Sequence, residues 1–546
     1  MCILCNRGML RNHFGSRRSF LTGAAAAGAV AAGANLFAAR PAAADDRDPP
    51  EGTGRPGRRY VIRNGTVMTM EPGGDFPRAD VLVEGKKIVA IGPNLRVGDA
   101  AEIDARGRIV MPGFIDTHHH QFETALRNFL PNGVLIDDLS GSASAQPNYF
   151  QFILLTFAPV YRPQDVYISE LFGGLAQLDD GVTTVHDVSQ IHHSPQHSDA
   201  AIQALFDTGR RAAFGYFESA GGVAGNKYPF DAPRIKAQWF SSSDQLVHMI
   251  MGGEVYLGDQ STDDSWRIGR DLGLQIAAHI LSPFGIRPTF DRLAAGTGGN
   301  GHIGIGPDNL FIHMTGMSDG AWARVRDVGA QVSIAFPIEM NMRHGMPPLI
   351  RMQGLGMEPS LSTDVEVTLT ADFFTQMRSA MNLQRLVVNQ MVLDSPNGNQ
   401  NLPDPRNWEL PQTAATVPGP FPYWPTPPAG IPAPLTVRDV LRFATVNGAK
   451  HLRLDQKTGS LKPGKDADII ILDATGINVA PLNNVPGAVV SLMERTNVET
   501  VVVAGKIRKW KGRLLDVELD RLRRQLEDSR DFIFRAAGVP QNLFPH

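Results

Sequence analysis

The chain of 546 residues has two cysteines, Cys2 and Cys5, both at its very start. Everything after them is therefore without a thiol, which excludes disulfide staples, cysteine nucleophiles and cysteine metal ligands. A metal in the folded part must be held by histidine and carboxylate. An excess of charge of one sign is also missing. Lys and Arg number 52 against 55 Asp and Glu, and the net charge of -3 offers no attraction for nucleic acid or an anionic membrane surface. Strongly apolar long runs are lacking too. The run from Leu21 to Ala39 is mostly alanine and glycine, too weakly hydrophobic to favour a membrane span. With 42% hydrophobic residues the chain can still bury a large core. What remains is a globular protein with no stable membrane anchor.

The first residues are read as a targeting segment. Ser16-Arg17-Arg18-Ser19-Phe20-Leu21 resembles the twin-arginine export signal, and Ala42-Ala43-Ala44 supplies a small-residue cleavage site after the Ala/Gly run. Residues 1–44 are thus expected to be a signal peptide that engages the twin-arginine (Tat) translocase. The mature protein is then periplasmic or secreted. Because the resembled route carries folded proteins, an enzyme using it would acquire its metal before crossing.

The stretch that organises the rest is Met111-Pro-Gly-Phe-Ile-Asp-Thr-His-His-His120. It reads as an apolar strand with a polar C-terminal end. His118 and His120 sit two apart, so on an extended backbone both face one side, while His119 faces the other. Two converging imidazoles make half of a Zn²⁺-type site. Alone, the triplet is equally a polar strand end. Its context, Pro-Gly-Phe-Ile-Asp-Thr-His-x-His, resembles the opening signature of the amidohydrolase superfamily, in particular the branch of cytosine deaminases and triazine hydrolases.

The flanking pattern is β-rich at both ends. Alternating runs from Tyr60 to Met70 and from Ala79 to Gly92 precede the motif, with a glycine hairpin turn at Glu84-Gly85-Lys86-Lys87. Runs at Ala467–Asp473 and Thr500–Arg508 mirror them. They suggest a small composite β-sandwich from residues 59–110 and 453–515, as in the resembled family. Gly459-Ser-Leu-Lys-Pro-Gly-Lys-Asp-Ala-Asp-Ile-Ile-Ile-Leu-Asp473 closely resembles that family's re-entry segment. Residues 516–546 are expected as a helical tail.

Between them, residues 111–452 alternate apolar runs with helical stretches. After the first strand, runs begin at Asp180, Arg211, Val247, Leu274, Leu310, Gln331 and Pro359, with helices such as Pro163–Leu178, Asp264–Leu272 and Gly320–Val328. Eight such strands predict an α/β fold, a (β/α)₈ TIM-like barrel, with chemistry at the strands' C-terminal ends. His279 ends the fifth strand, His313 the sixth and Asp364 the eighth. The resemblance implies one divalent metal, Zn²⁺ first with Fe or Mn as alternatives, on His118, His120, His279 and Asp364. It further implies Asp364 as the base for the attacking water and His313 as a catalytic neighbour that is not a ligand. No lysine ends the fourth strand, where binuclear relatives carry a bridging one. The expected function is hydrolysis of a C–N bond in a cyclic amide, an amidine or an N-heterocycle.

One position departs from the deaminase pattern. The resembled deaminases place a proton-shuttling glutamate three residues after the fifth-strand histidine, and this chain has Ser282 there. The alternative reading is therefore a non-catalytic or altered-chemistry binding protein on the same fold. A substitute for the shuttle is sought in Pro337-Ile-Glu-Met-Asn-Met-Arg-His-Gly345, which offers Glu339 and His344. Its wording, with Phe374 to Arg378 downstream, resembles a subgroup of bacterial amidohydrolases. Glu218 and Glu254, ending the third and fourth strands, and His193, in the histidine-rich loop after the second, are further pocket candidates. The long stretches 129–159 and 395–434 should shape access. The second, with Phe421-Pro-Tyr-Trp-Pro425, is expected over the mouth or against a neighbouring subunit of a homo-oligomer.

Overall fold

The computed structural model describes residues 48–137, 147–298, 303–395 and 430–543. The segment expected to be an export signal, residues 1–44, lies outside them, as do residues 138–146 of the first access stretch and 396–429 of the second.

The strands sort into two sheets. The first is built from β1 (Arg59–Val67), β2 (Phe76–Glu84), β3 (Lys87–Gly92), β4 (Ala101–Asp104) and β5 (Arg108–Pro112). Barrel strands follow: β6 (Phe114–His119), β7 (Val182–Ser189), β8 (Arg211–Tyr216), β9 (Val247–Gly252), β10 (Ile276–Leu281), β11 (Asn309–Thr315), β12 (Gln331–Ile334) and β13 (Ser360–Leu361). The chain then returns to the first sheet with β14 (Ile469–Asp473), β15 (Val498–Val503), β16 (Lys506–Trp510) and β17 (Arg513–Leu514). The first sheet's order is β17-β16-β15-β14-β5-β1-β2-β3, with β4 beside β1. Its join is the antiparallel pair β5–β14, which sets Met111 opposite Ile470. Tyr60, Ile62, Val81, Val83, Ile469 and Val502 pack into one apolar core on it.

The motif's opening residues divide between the sheets instead of forming one strand. Met111 and Pro112 end β5, and Phe114 starts β6. Gly113 makes the crossing possible, because a Cβ there would lie 2.2 Å from the Thr183 side chain.

The eight parallel strands β6 to β13 run in sequence order around a TIM-like barrel. Closure between first and last is short: Asp364 N–H donates to His118 O at 2.9 Å, and His120 N–H to Asp364 O at 2.8 Å. Inward-facing Ile115, Val188, Ala213, Ile250, Ala277 and Ile312 fill the barrel, and Ala449 and Leu452 close its lower end. The helix expected from Asp264 begins earlier, at Asp259, directly after Gly258 turns the chain at φ +94°.

Two joints hold the barrel to its surroundings. Arg211, first residue of β8, sits buried and donates to Asp466 at 2.9 Å and Asp468 at 3.0 Å, two of the three aspartates of the re-entry segment. Removing one partner of such a buried pair costs about 3–5 kcal/mol. The C-terminal helix Leu519–Ala537 packs Phe534 against Phe129 and Phe157, with ring centroids 5.2 and 4.9 Å apart. Among the described residues, no helix is long and apolar enough to cross a membrane.

Candidate metal centre

The C-terminal ends of four barrel strands converge on one point. The His118 ring lies 4.7 Å from His120 and 4.8 Å from His279, and His120 stacks on His279 at 5.3 Å. One nitrogen from each of the three falls within 4.8 Å of the others, and so do one nitrogen each of His118 and His313 and a carboxylate oxygen of Asp364. Asp364 Oδ1 is 3.0 Å from His118 Nε2 and 3.6 Å from His120 Nε2. Its Oδ2 is 3.6 Å from His313 Nε2 and 3.9 Å from His344 Nε2. All of these side chains are buried.

The donor set suits a divalent cation. Asp364 Oδ2 and the Nδ1 atoms of His118 and His120 are buried without a hydrogen-bond partner, a costly arrangement for a set with nothing to bind. Burial holds His118 and His120 well below the ordinary histidine value and lowers His279 to about 4, so all three are neutral, as ligation requires. Burial alone would raise Asp364. The imidazoles of His118, His313 and His120 outweigh it and keep the carboxylate well below its usual range. His313 and Asp364 also share backbone strain, with φ of +71° and +61°. Non-glycine residues held there cost on the order of 1–3 kcal/mol and gather where function needs a fixed side-chain direction.

The surrounding shell fixes the rings. Glu254 accepts both the Nδ1 and the backbone N–H of His279, which leaves Nε2 for the centre. His119 points away, bonding through Nδ1 to Asp364 O at 3.0 Å.

Glu339 is where the structure departs from the sequence reading. Its Oε1 lies 3.0 Å from His313 Nδ1 and accepts from Ala335 N–H at 3.1 Å. The helix Phe336–Asn341 turns this carboxylate behind the histidine, while Ile338 and Met342 of the same helix line the cavity. Glu339 therefore acts through His313, raising its basicity, and is not placed as a shuttle to substrate. His193 is withdrawn as well: its two nitrogens are taken by Ser219 Oγ at 2.7 Å and Ala158 O at 2.8 Å. His344 does reach the cavity.

A half-open cavity over the centre offers about 390 Å³ of empty space, part of it open to solvent. His120, His279, His313, His344 and Asp364 form its polar side, and Leu154, Leu281, Ile338 and Met342 are among its apolar walls. Tyr149, Gln190 and Tyr256 line it too. Sequence reasoning missed these three, since each is a lone polar residue in a loop. The one available signal was position, directly after a strand end or in the first access stretch.

Comparison with known proteins agrees with this geometry. The family described as "Amidohydrolase family" matches residues 432–508. The 5'-deoxyadenosine deaminase of Methanosarcina acetivorans is 24% identical over 482 residues, 86% of this chain and 96% of that protein. The 5-methylthioadenosine/S-adenosylhomocysteine deaminase of Thermococcus kodakarensis is 26% identical over 467 residues, 82% of this chain and 93% of its own. The family match, the deaminase relatives and the fold neighbours together support the amidohydrolase superfamily for this chain. Solved structures share its fold. An adenosine deaminase from Xanthomonas campestris with bound zinc aligns at TM-score 0.68 and 20% identity, covering 88% of this chain and 99% of that one. The zinc complex of atrazine chlorohydrolase from Arthrobacter aurescens aligns at 0.64 and 19% identity, covering 87% and 100%. In this chain the four residues read as ligands lie together at the barrel's C-terminal mouth.

Proposed function

We propose that this protein hydrolyses a carbon–nitrogen bond of a small substrate, removing ammonia from an amino-substituted N-heterocycle. The observation that carries the reading is the cluster of His118, His120, His279 and Asp364 under a half-open cavity with apolar walls. The deaminase names of relatives spanning most of the chain support it. A divalent ion, zinc by analogy with the fold neighbours, would be held by those four residues, lowering the pKa of a water and polarising the group under attack. Asp364 accepts the attacking water's proton and returns it to the departing nitrogen. His313, oriented by Glu339, donates to the substrate heteroatom where negative charge builds. The apolar walls exclude bulk water and strengthen these interactions.

Export belongs to the same proposal. The arginine pair Arg17-Arg18 would direct the folded, metal-loaded protein through the twin-arginine translocase to the periplasm or beyond. The deciding experiment joins metal analysis of the mature protein with an ammonia-release screen over 5'-deoxyadenosine, aminotriazines and cyclic amidines. About one divalent ion per chain and release from at least one of these is the expected result. A metal-loaded protein that releases no ammonia from any of them would overturn the proposal and favour the binding-protein alternative suggested by Ser282.

A further inference from the structure

Two cavity-lining tyrosines are each backed by a buried carboxylate that the metal centre does not use. The Tyr149 hydroxyl donates to Glu123 Oε1, and the Tyr256 hydroxyl donates to Glu218 Oε1. Glu218 Oε1 also accepts from Gln190 Nε2 at 2.7 Å, while its Oε2 is buried without a partner. Gln190 and Tyr256, just past the ends of β7 and β9, line the cavity, and Glu218, just past β8, is bonded to both from behind that wall.

The two pairs differ in position. Tyr149 faces His120, with ring centroids 6.2 Å apart. The Tyr256 ring packs 5.0 Å from Phe284, in the short turn Ser282–Phe284 that follows β10. It therefore borders the segment where Ser282 stands and where a proton carrier is lacking. A carboxylate there with no cation beside it favours its neutral form. Burial first, and then the neighbouring Glu254, push Glu218 up to about 7.

Resting on the C–N reading above, we infer that the Tyr256–Glu218 pair delivers the proton to the substrate's ring nitrogen. Water adds to the carbon of a C=N bond, and the π electrons pass to nitrogen. On substrate binding the Tyr256 hydroxyl turns from Glu218 to the ring nitrogen, and the carboxyl proton of Glu218, carried on Oε1, comes to face the tyrosine oxygen. The Tyr256 O–H bond then breaks as the N–H bond forms, and that carboxyl proton moves onto the tyrosine oxygen. Asp364, carrying the water's proton, gives it to the departing amine as that C–N bond breaks and the carbonyl forms. The remaining hydroxyl proton leaves to solvent, from which Glu218 is reprotonated. Glu254 has a different task, since both its hydrogen bonds go to His279.

The test compares zinc-loaded wild type, Tyr256→Phe, Glu218→Gln and the double variant on ammonia release from 5'-deoxyadenosine, or from an aminotriazine if the wild type prefers it. Each single variant should lose about 10²-fold or more in kcat, with zinc content unchanged and KM within about threefold. The double variant should lose no more than the worse single one, because the two residues act as a unit. Losses confined to KM, or additive losses with reduced zinc, would overturn the assignment and leave a packing pair. A large loss in Tyr149→Phe with Tyr256→Phe intact would overturn it in favour of the other pair. A wild type without ammonia release fails the proposed function itself, and the pair's role falls with it.

Discussion

The two sides of the cavity were legible to very different degrees. On the metal side, His118, His120, His279, His313 and Asp364 match the superfamily pattern residue for residue, and the structure brings them within a few ångströms. On the other side, Ser282 is visible only as a departure from that pattern and Glu218 only as a strand-end carboxylate without a role, while Gln190 and Tyr256 follow no pattern read in the sequence. The difference has a physical origin. Generating a nucleophile needs fixed donors at fixed distances, and strand ends of a barrel supply them. Handling the leaving group and the rest of the substrate falls to loops, where many side chains can do the same work.

That contrast can be broken most severely from the metal side. His118→Ala combined with His120→Ala should abolish metal retention and activity together. Full metal by elemental analysis in this double variant would remove the centre as described. Next in size is Asp364→Asn. It should keep much of the metal, since its carbonyl oxygen remains available, and lose about 10²–10⁴ in kcat because it carries no proton. Near-normal turnover would send the proton elsewhere. Smaller still is Glu254→Gln, which should weaken metal affinity about 10–100-fold by loosening His279, read by competition with a chelator. Tyr256→Phe and Glu218→Gln sharpen the comparison from the other side, since they should leave that affinity unchanged.

Much of the fold was readable because barrel strands announce themselves as apolar runs ending in polar residues. The runs at Asp180, Arg211 and Leu310 place β7, β8 and β11 within a few residues. The eighth strand is only Ser360–Leu361 against β12, and it meets the first barrel strand at Asp364, where φ is +61°. Sequence carries no trace of that backbone conformation. Glu339 was misread for a related reason. Its position after the seventh strand is visible in one dimension, but the six-residue helix that swings it behind His313 is not. Tyr149 and Tyr256 had no periodicity to betray them. Glu254 was found as a pocket candidate, yet its hold on His279 emerges only once β9 and β10 lie side by side.

The pairing of β5 with β14 has a consequence for the order of events at the ribosome. Pro112 meets Ile469, so β5 is made long before its neighbour exists. Until the last part of the chain emerges, β5 presents an open, strongly apolar edge, the kind of edge that recruits other strands. Contacts so distant in sequence also slow folding, since a long loop must close before they form. The whole barrel is synthesised within that interval. Completion of the first sheet, with Arg211 reaching Asp466 and Asp468, thus marks the end of assembly, and a chain stopped short of Ile469 would hold every metal donor yet lack the partner that closes its first sheet.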